Sequence, residues 1–193
     1  MNKVEIFSVE INYIKNADLK ESLKLIVDKL PDYFFYEAAS STGKYHPKYA
    51  LGDGGLLRHS KAATKIGLEL LNNPLIGSKY SPREKDMLLL SLLVHDGLKR
   101  GLTEEKYTRV DHPILMANFI LDNYQTFKLN LEDAKFISDV IKTHMGPYNT
   151  DFNGNVVLET PKNKYQSFVH MCDYLASRKC LEVPFDENNN IIA

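Results

Sequence analysis

The chain has almost no excess charge of either sign: 24 Lys and Arg against 25 Asp and Glu leave −1 at pH 7. Bulk attraction to duplex nucleic acid or to a membrane surface is therefore not expected, and any phosphate recognition has to be local. Cysteine is scarce. Cys172 and Cys180 are eight residues apart in what reads as one helix, too far apart there for a bridge and too few for a disulfide scaffold. That usage fits a reducing, cytoplasmic setting. No stretch approaches the roughly 18 apolar residues of a membrane span. The N-terminal MNKVEIFSVEINYIKNAD scatters its charges, so it reads as neither a signal peptide nor an anchor. Internal repeats and low-complexity segments are missing too.

What remains is the composition of an ordinary globular protein, 44% hydrophobic and 25% charged over 193 residues, enough for one domain with a proper core. Residues 1–45 read as a helical lead-in, 46–181 as the core and 182–193 as a frayed tail.

The chain is organised around residues 87–100, MLLLSLLVHDGLKR. Its apolar run is long enough for a helix that is hydrophobic nearly all round, and so central in its domain. Ser81 as N-cap, Pro82 at the first helical position and Glu84 at the capping-box position start it, and Gly97 ends it. His95 and Asp96 cannot both point into the core from a regular helix face. At a helix terminus they can converge on one point, such as a metal ion. A buried carboxylate needs a partner, because desolvating it alone costs too much.

Along the rest of the chain, residues 4–14 are a short strand or an irregular lead-in. Asp18 caps an expected helix, Leu19 to Leu30, and Tyr33, Phe34, Phe35 and Tyr36 form a packing cluster after Pro31. Residues 38–55 have no helical period and form a long loop whose Ser40, Ser41, Lys44 and His46 could reach a phosphate. A helix from Leu56 to Asn72 puts His59, Ala63, Ile66 and Leu70 on one stripe. Asp111 caps a further helix with His112 at its start, followed by Met116 and Phe119 on the same face. Residues 131–144 carry Ile137, Val140, Ile141 and His144 on one stripe, ended by Gly146 and Pro147. A turn or small hairpin is expected around Asn153-Gly154. Pro161 opens the last helix, to about Leu181, with Val169, Cys172, Ala176 and Cys180 on its apolar face and Asp173 beside it.

Four expected helices thus each deliver His59, His112, His144 or Asp173 on or beside an apolar face, and a fifth delivers His95 and Asp96. Chance places one histidine on a buried face easily; it does not readily place four, with two acids. Clusters of buried ionisable groups mark functional sites.

The order His, His-Asp, His, His, Asp resembles the HD superfamily of metal-dependent phosphohydrolases. The segments that carry the likeness are GGLLRHS, LLVHDGLK, DHPILM, KTHMG and VHMCDYLASR. The nearest likeness within it is to the HD domain of bacterial 3′-to-5′ exoribonucleases. Two details differ from common family forms: the doublet continues Gly97-Leu98-Lys99 rather than x-Gly-Lys, and Met145 follows His144 where cyclic-di-nucleotide phosphodiesterases carry a second histidine.

The resemblance implies an all-α HD-domain helical bundle with its metal site buried between helices. It implies one metal on His59, His95, Asp96 and Asp173, and a second on His112 and His144 with Asp96 bridging. Fe, Mn, Co, Ni or Zn suit that donor set better than Mg or Ca. The implied activity is hydrolysis of a phosphoester or phosphoanhydride bond in a nucleotide or short oligonucleotide, with Asp96 and Lys99 as the catalytic residues. Lys99 is the first choice for a cation on the substrate phosphate; Lys44, His46, Arg58 and Lys61 are further candidates. Two other readings share these residues: an HD-type di-iron oxygenase and a non-catalytic module that senses a nucleotide.

Overall fold

The structure, a computed structural model, describes residues 2–40, 43–181 and 187. Ser41, the side chain of Cys180 and nearly all of the tail 182–193 lie outside the described residues. The fold is all-α. Among the described residues, nine α-helices follow one another: α1 (Lys3–Ile6), α2 (Ser8–Ile11), α3 (Ala17–Lys29), α4 (Gly55–Asn72), α5 (Pro74–Gly77), α6 (Pro82–Val94), α7 (His112–Asp122), α8 (Leu131–Ile141) and α9 (Lys164–Ala176). Among the described residues, the one β-type pairing is an isolated antiparallel bridge between Thr150 and Val156.

Helix α6 is the central rod. Every residue from Asp86 to Val94 is buried, and α3, α4, α8 and α9 pack around it. Its start is the expected capping box: Ser81 Oγ accepts from the Glu84 N–H, and Glu84 accepts from the Ser81 N–H. Two acids near that start tie neighbours to it. Asp86 accepts backbone N–H groups of Lys15 and Asn16 at 2.7–3.1 Å. Asp133 on α8 is gripped by Arg83 through both Nε and Nη2. Gly67 lets α4 lie close to α6, since a Cβ there would come within 2.4 Å of Leu92 Cδ1.

Several local expectations are corrected. Residues 4–14 form two short helical turns, not a strand. The cap of α3 is Asn16, whose Oδ1 accepts the Leu19 N–H, because the helix starts earlier than the apolar stripe suggests; Asp18 lies inside its first turn. Asp111 stands at the N-cap of α7 but makes no side-chain cap; its carboxylate is forked by Arg109 at 2.8 and 2.9 Å instead. Helix α9 starts at Lys164, three residues after Pro161, because Asn163 Oδ1 caps the N–H groups of Tyr165 and Gln166. It ends at Ala176, so Cys172 and Cys180 do not share a helix. The aromatic cluster is core as expected for Tyr33, Phe34 and Phe35, whereas Tyr36 is half exposed.

Candidate metal centre

Five segments bring six side chains to one buried point. His59 comes from the second turn of α4 and Asp173 from the last turn of α9. His95 is the C-cap of α6, and Asp96 follows in a tight turn closed by Gly97 N–H to the Val94 carbonyl at 2.8 Å. His112 is the first residue of α7, and His144 lies just beyond the end of α8. His59, His95, Asp96, His112 and His144 are all buried to 1% exposure or less. The doublet therefore converges because the helix stops beneath it.

The two oxygens of Asp96 face different partners. Oδ2 lies 3.7 Å from His59 Nε2 and 3.6 Å from His95 Nε2. Asp173 Oδ1 completes that group, 2.9 Å from His59 Nε2 and 3.4 Å from His95 Nε2. Asp96 Oδ1 faces His112 Nε2 at 2.9 Å and His144 Nε2 at 3.5 Å, and those two nitrogens are 3.2 Å apart. His95 also stands between the groups, since its ligand atom, one from Asp96 and one from His144 lie within 4.8 Å of one another.

These spacings fit metal ions. Two donors held about 2.1 Å from one ion at tetrahedral or octahedral angles lie roughly 3.0–3.4 Å apart. Histidine tautomers point the same way. Nδ1 of His95, His112 and His144 sits 2.7, 2.6 and 2.8 Å from the carbonyls of Leu92, Arg109 and Ile141. Each Nδ1–H donates to its carbonyl, so in the neutral ring the inward Nε2 carries a lone pair. Each carbonyl lies three residues before its histidine: those of Leu92 and Ile141 are in the last turns of α6 and α8, and that of Arg109 is in the turn that leads into α7. The Arg109–Asp111 fork holds the turn that supplies the carbonyl for His112. His59 differs, because its buried Nδ1 has no hydrogen-bond partner. Asp96 Oδ1 likewise has none, although His112 Nε2 is close.

One of the two carboxylates is paired with a lysine. Lys99 Nζ lies 2.5 Å from Asp96 Oδ2, with both side chains largely buried. Burial alone would raise the Asp96 pKa, but the Lys99 and His95 charges hold the carboxyl well below the usual range. Asp173 is likewise held low against burial, by hydrogen bonds from His59 and His95. Burial acts against a proton on His95, yet the Asp96 charge and the Asp173 hydrogen bond raise its pKa overall. His144 goes the other way: burial pushes it down to about 4, outweighing the nearby Asp96 carboxylate. The ammonium of Lys99 thus stands beside the carboxylate that faces both donor groups.

A cavity of about 660 Å³ opens onto these groups, a size typical of small-ligand sites. Asp96, His59, His112 and Asp173 form its floor together with Lys99, and His46 and Ser40 from the 38–55 loop line it. The His46 ring stacks edge-on to His59 at 5.8 Å, and burial pushes its pKa down to about 4.

The other substrate-binding candidates are committed elsewhere. Arg58 donates from Nε and Nη2 to the carbonyls of Tyr49 and Leu51 and so pins the loop. Lys61 donates to the Ile6 carbonyl and pairs with Glu10, tying α4 to the N-terminal turns. Lys44 is exposed, its Nζ 5.2 Å from the Tyr45 ring, and does not line the cavity. Both arginine and lysine on α4 were candidates through proximity in sequence to His59, but a helix turns its neighbouring residues to other faces.

Tyr45, Tyr148, Tyr174 and Arg178 are among the lining residues that were not foreseen. Each lies within five positions of His46, His144 or Asp173, which was the signal available. Cys172 is also buried, and burial pushes its thiol pKa up, so it is an inert packing residue.

Comparison with protein-family models, with curated proteins and with solved structures gives no match for this chain.

Proposed function

We propose that the chain is a metal-dependent phosphohydrolase of the HD superfamily, acting on a phosphoester or phosphoanhydride bond in a nucleotide or short oligonucleotide. The observation that carries this reading is the division of Asp96 between two donor groups. Oδ2 faces the cluster of His59, His95 and Asp173; Oδ1 faces His112 and His144. These residues would hold two divalent transition ions, with imidazole and carboxylate donors favouring Fe, Mn, Co, Ni or Zn. Bound ions of that kind make water nucleophilic near neutral pH and stabilise charge developing on phosphate oxygens.

The protein's own groups do the rest. The carbonyls of Leu92, Arg109 and Ile141 fix three imidazoles, so the donors need little rearrangement to bind. Lys99, paired with Asp96, lines the cavity, where its ammonium could neutralise a phosphate oxygen. The buried floor excludes bulk water on the protein side and strengthens each of these interactions.

The test is an anaerobic screen. Protein loaded with Mn, Fe, Co, Ni or Zn is offered nucleotides, dinucleotides and short oligonucleotides, and phosphate or nucleotide release is measured. Release that depends on the metal and on Asp96 supports the reading. Turnover only in the presence of oxygen, or tight nucleotide binding without any release, overturns it.

A further inference from the structure

Five arginines occur in the chain, and four have their guanidinium groups satisfied by acids or carbonyls. Arg83 binds Asp133, Arg100 binds Glu37 and Glu104, Arg109 binds Asp111 and Glu105, and Arg58 binds two backbone carbonyls. Arg178 does not follow them. Its side chain pairs with no acid among the described residues, and its one side-chain hydrogen bond runs from Nη2 to Tyr148 Oη at 2.7 Å. Its Nε is buried with no partner.

Three tyrosines hold this cation in place. The guanidinium carbon lies 4.4 Å from the Tyr174 ring centre and 5.3 Å from those of Tyr45 and Tyr148. Cation–π attraction offsets part of the cost of keeping a charge away from acids and water. The rings also remove rotational freedom, so a ligand need not freeze the side chain itself. A guanidinium held this way presents a planar fork of N–H groups, matched to phosphate oxygens and otherwise unused. Arg178 and all three tyrosines line the same cavity as Asp96 and Asp173.

Position separates this group from the metal donors. Arg178 is five residues beyond Asp173 and two past Ala176, where α9 ends. The cation beside the metal donors is Lys99. The cavity therefore carries positive charge at two places, with aromatic surface at the outer one.

We infer that Arg178 binds a second phosphate of the substrate, so that the preferred substrates carry two phosphorus centres. One sits against the metal donors and Lys99, the other against the tyrosine-held guanidinium. This rests on the phosphohydrolase reading above and narrows it. The second phosphate belongs to a diphosphate or to the next unit of a short oligonucleotide; the chemistry at Arg178 is the same.

Equilibrium binding to the Mn-loaded full chain tests this without needing turnover. The probes are orthophosphate, pyrophosphate and a 5′-phosphorylated dithymidine dinucleotide. Wild type prefers one or both two-phosphate probes over orthophosphate, and which one it prefers tells the two sources apart. Arg178→Gln weakens the preferred probe by about ten- to a hundredfold, as expected for a charge-assisted hydrogen-bonded contact, and collapses its advantage over orthophosphate. Tyr148→Phe, which removes only the hydroxyl that Arg178 bonds, gives a smaller loss in the same direction with unchanged metal content. If Arg178→Gln disturbs the fold or the metal content, Tyr148→Phe decides. An unchanged preference in a variant that keeps its metal overturns the assignment. Absence of turnover on every phosphate ester, with this binding pattern intact, would instead defeat the hydrolase reading and leave Arg178 as a phosphate anchor.

Discussion

His112 Nε2 faces Asp96 Oδ1 at 2.9 Å, while His112 Nδ1 donates to the carbonyl of Arg109 at 2.6 Å. A neutral imidazole has one N–H, and here that proton is committed to the backbone. The nitrogen facing the carboxylate therefore offers a lone pair to an anionic oxygen. His144 repeats the arrangement from the other side, 3.5 Å from the same oxygen and 3.2 Å from His112 Nε2. Three electron-rich atoms gathered in a buried space repel one another unless a cation lies between them. This is a physical reason to expect a second ion at His112 and His144.

Removing Lys99 should separate stability from metal binding. In metal-free protein the ammonium is the direct counter-charge of a buried carboxylate, and breaking such a pair costs about 3 kcal/mol. For a chain of this size, that corresponds to a melting temperature roughly 6–12 °C lower. Lys99→Ala should show this loss when metal-free and much less of it when loaded, with the metal content of wild type and reduced turnover. Loss of metal from Lys99→Ala would show that the lysine is needed to build the donor set.

Proton release should differ between the two donor groups. The His95 pKa is raised, so His95 keeps its proton to higher pH than a free imidazole, and an arriving ion must displace it. His144, pushed down to about 4, has no proton to release above that pH. Binding that engages His95 should therefore release a proton and strengthen as pH rises. His144 itself should add no pH dependence until the pH falls toward about 4. Calorimetry of wild type and His144→Ala in buffers of different ionisation enthalpy measures this. Equal proton release at both groups would contradict it.

His144 and Tyr148 are positioned by the turn at Gly146, which has φ +59°. A Cβ at that glycine would lie 2.2–2.5 Å from the His170 ring, whose Nδ1 donates to the His144 carbonyl at 2.7 Å. Gly146→Ala should cost about 1–3 kcal/mol from the left-handed backbone alone, plus displacement of His170. Urea denaturation gives the stability, and metal analysis should show the loss concentrated at the His144 group. A stability equal to that of wild type would mean that the turn relaxes without strain.

Much of the site could be read from the sequence because helical periodicity is a local property. His59 shares a buried stripe with Ala63, and the capping box at Ser81 marks where α6 begins, so the buried face of α4 and the start of α6 followed from spacing alone. The doublet was legible for the same reason: His95 and Asp96 stand where the apolar run stops. Cap identity was less legible, since Asp18 and Asn16 are both good caps and only tertiary packing of the 12–16 segment chooses between them. Cavity walls were least legible. Arg58 and Lys61 were candidate phosphate ligands, whereas the carbonyls of Tyr49 and Leu51 engage Arg58 and Glu10 engages Lys61. Arg178 was overlooked because its three tyrosines come from three separate parts of the chain.

The most direct test of the central claim is the number of metal ions bound per chain after anaerobic loading, in wild type and in His112→Ala. Asp96 shared between two donor groups predicts two ions in wild type and one in His112→Ala, with most of the activity lost in the variant. One ion in fully active wild type, or a count that His112→Ala leaves unchanged, would contradict the account.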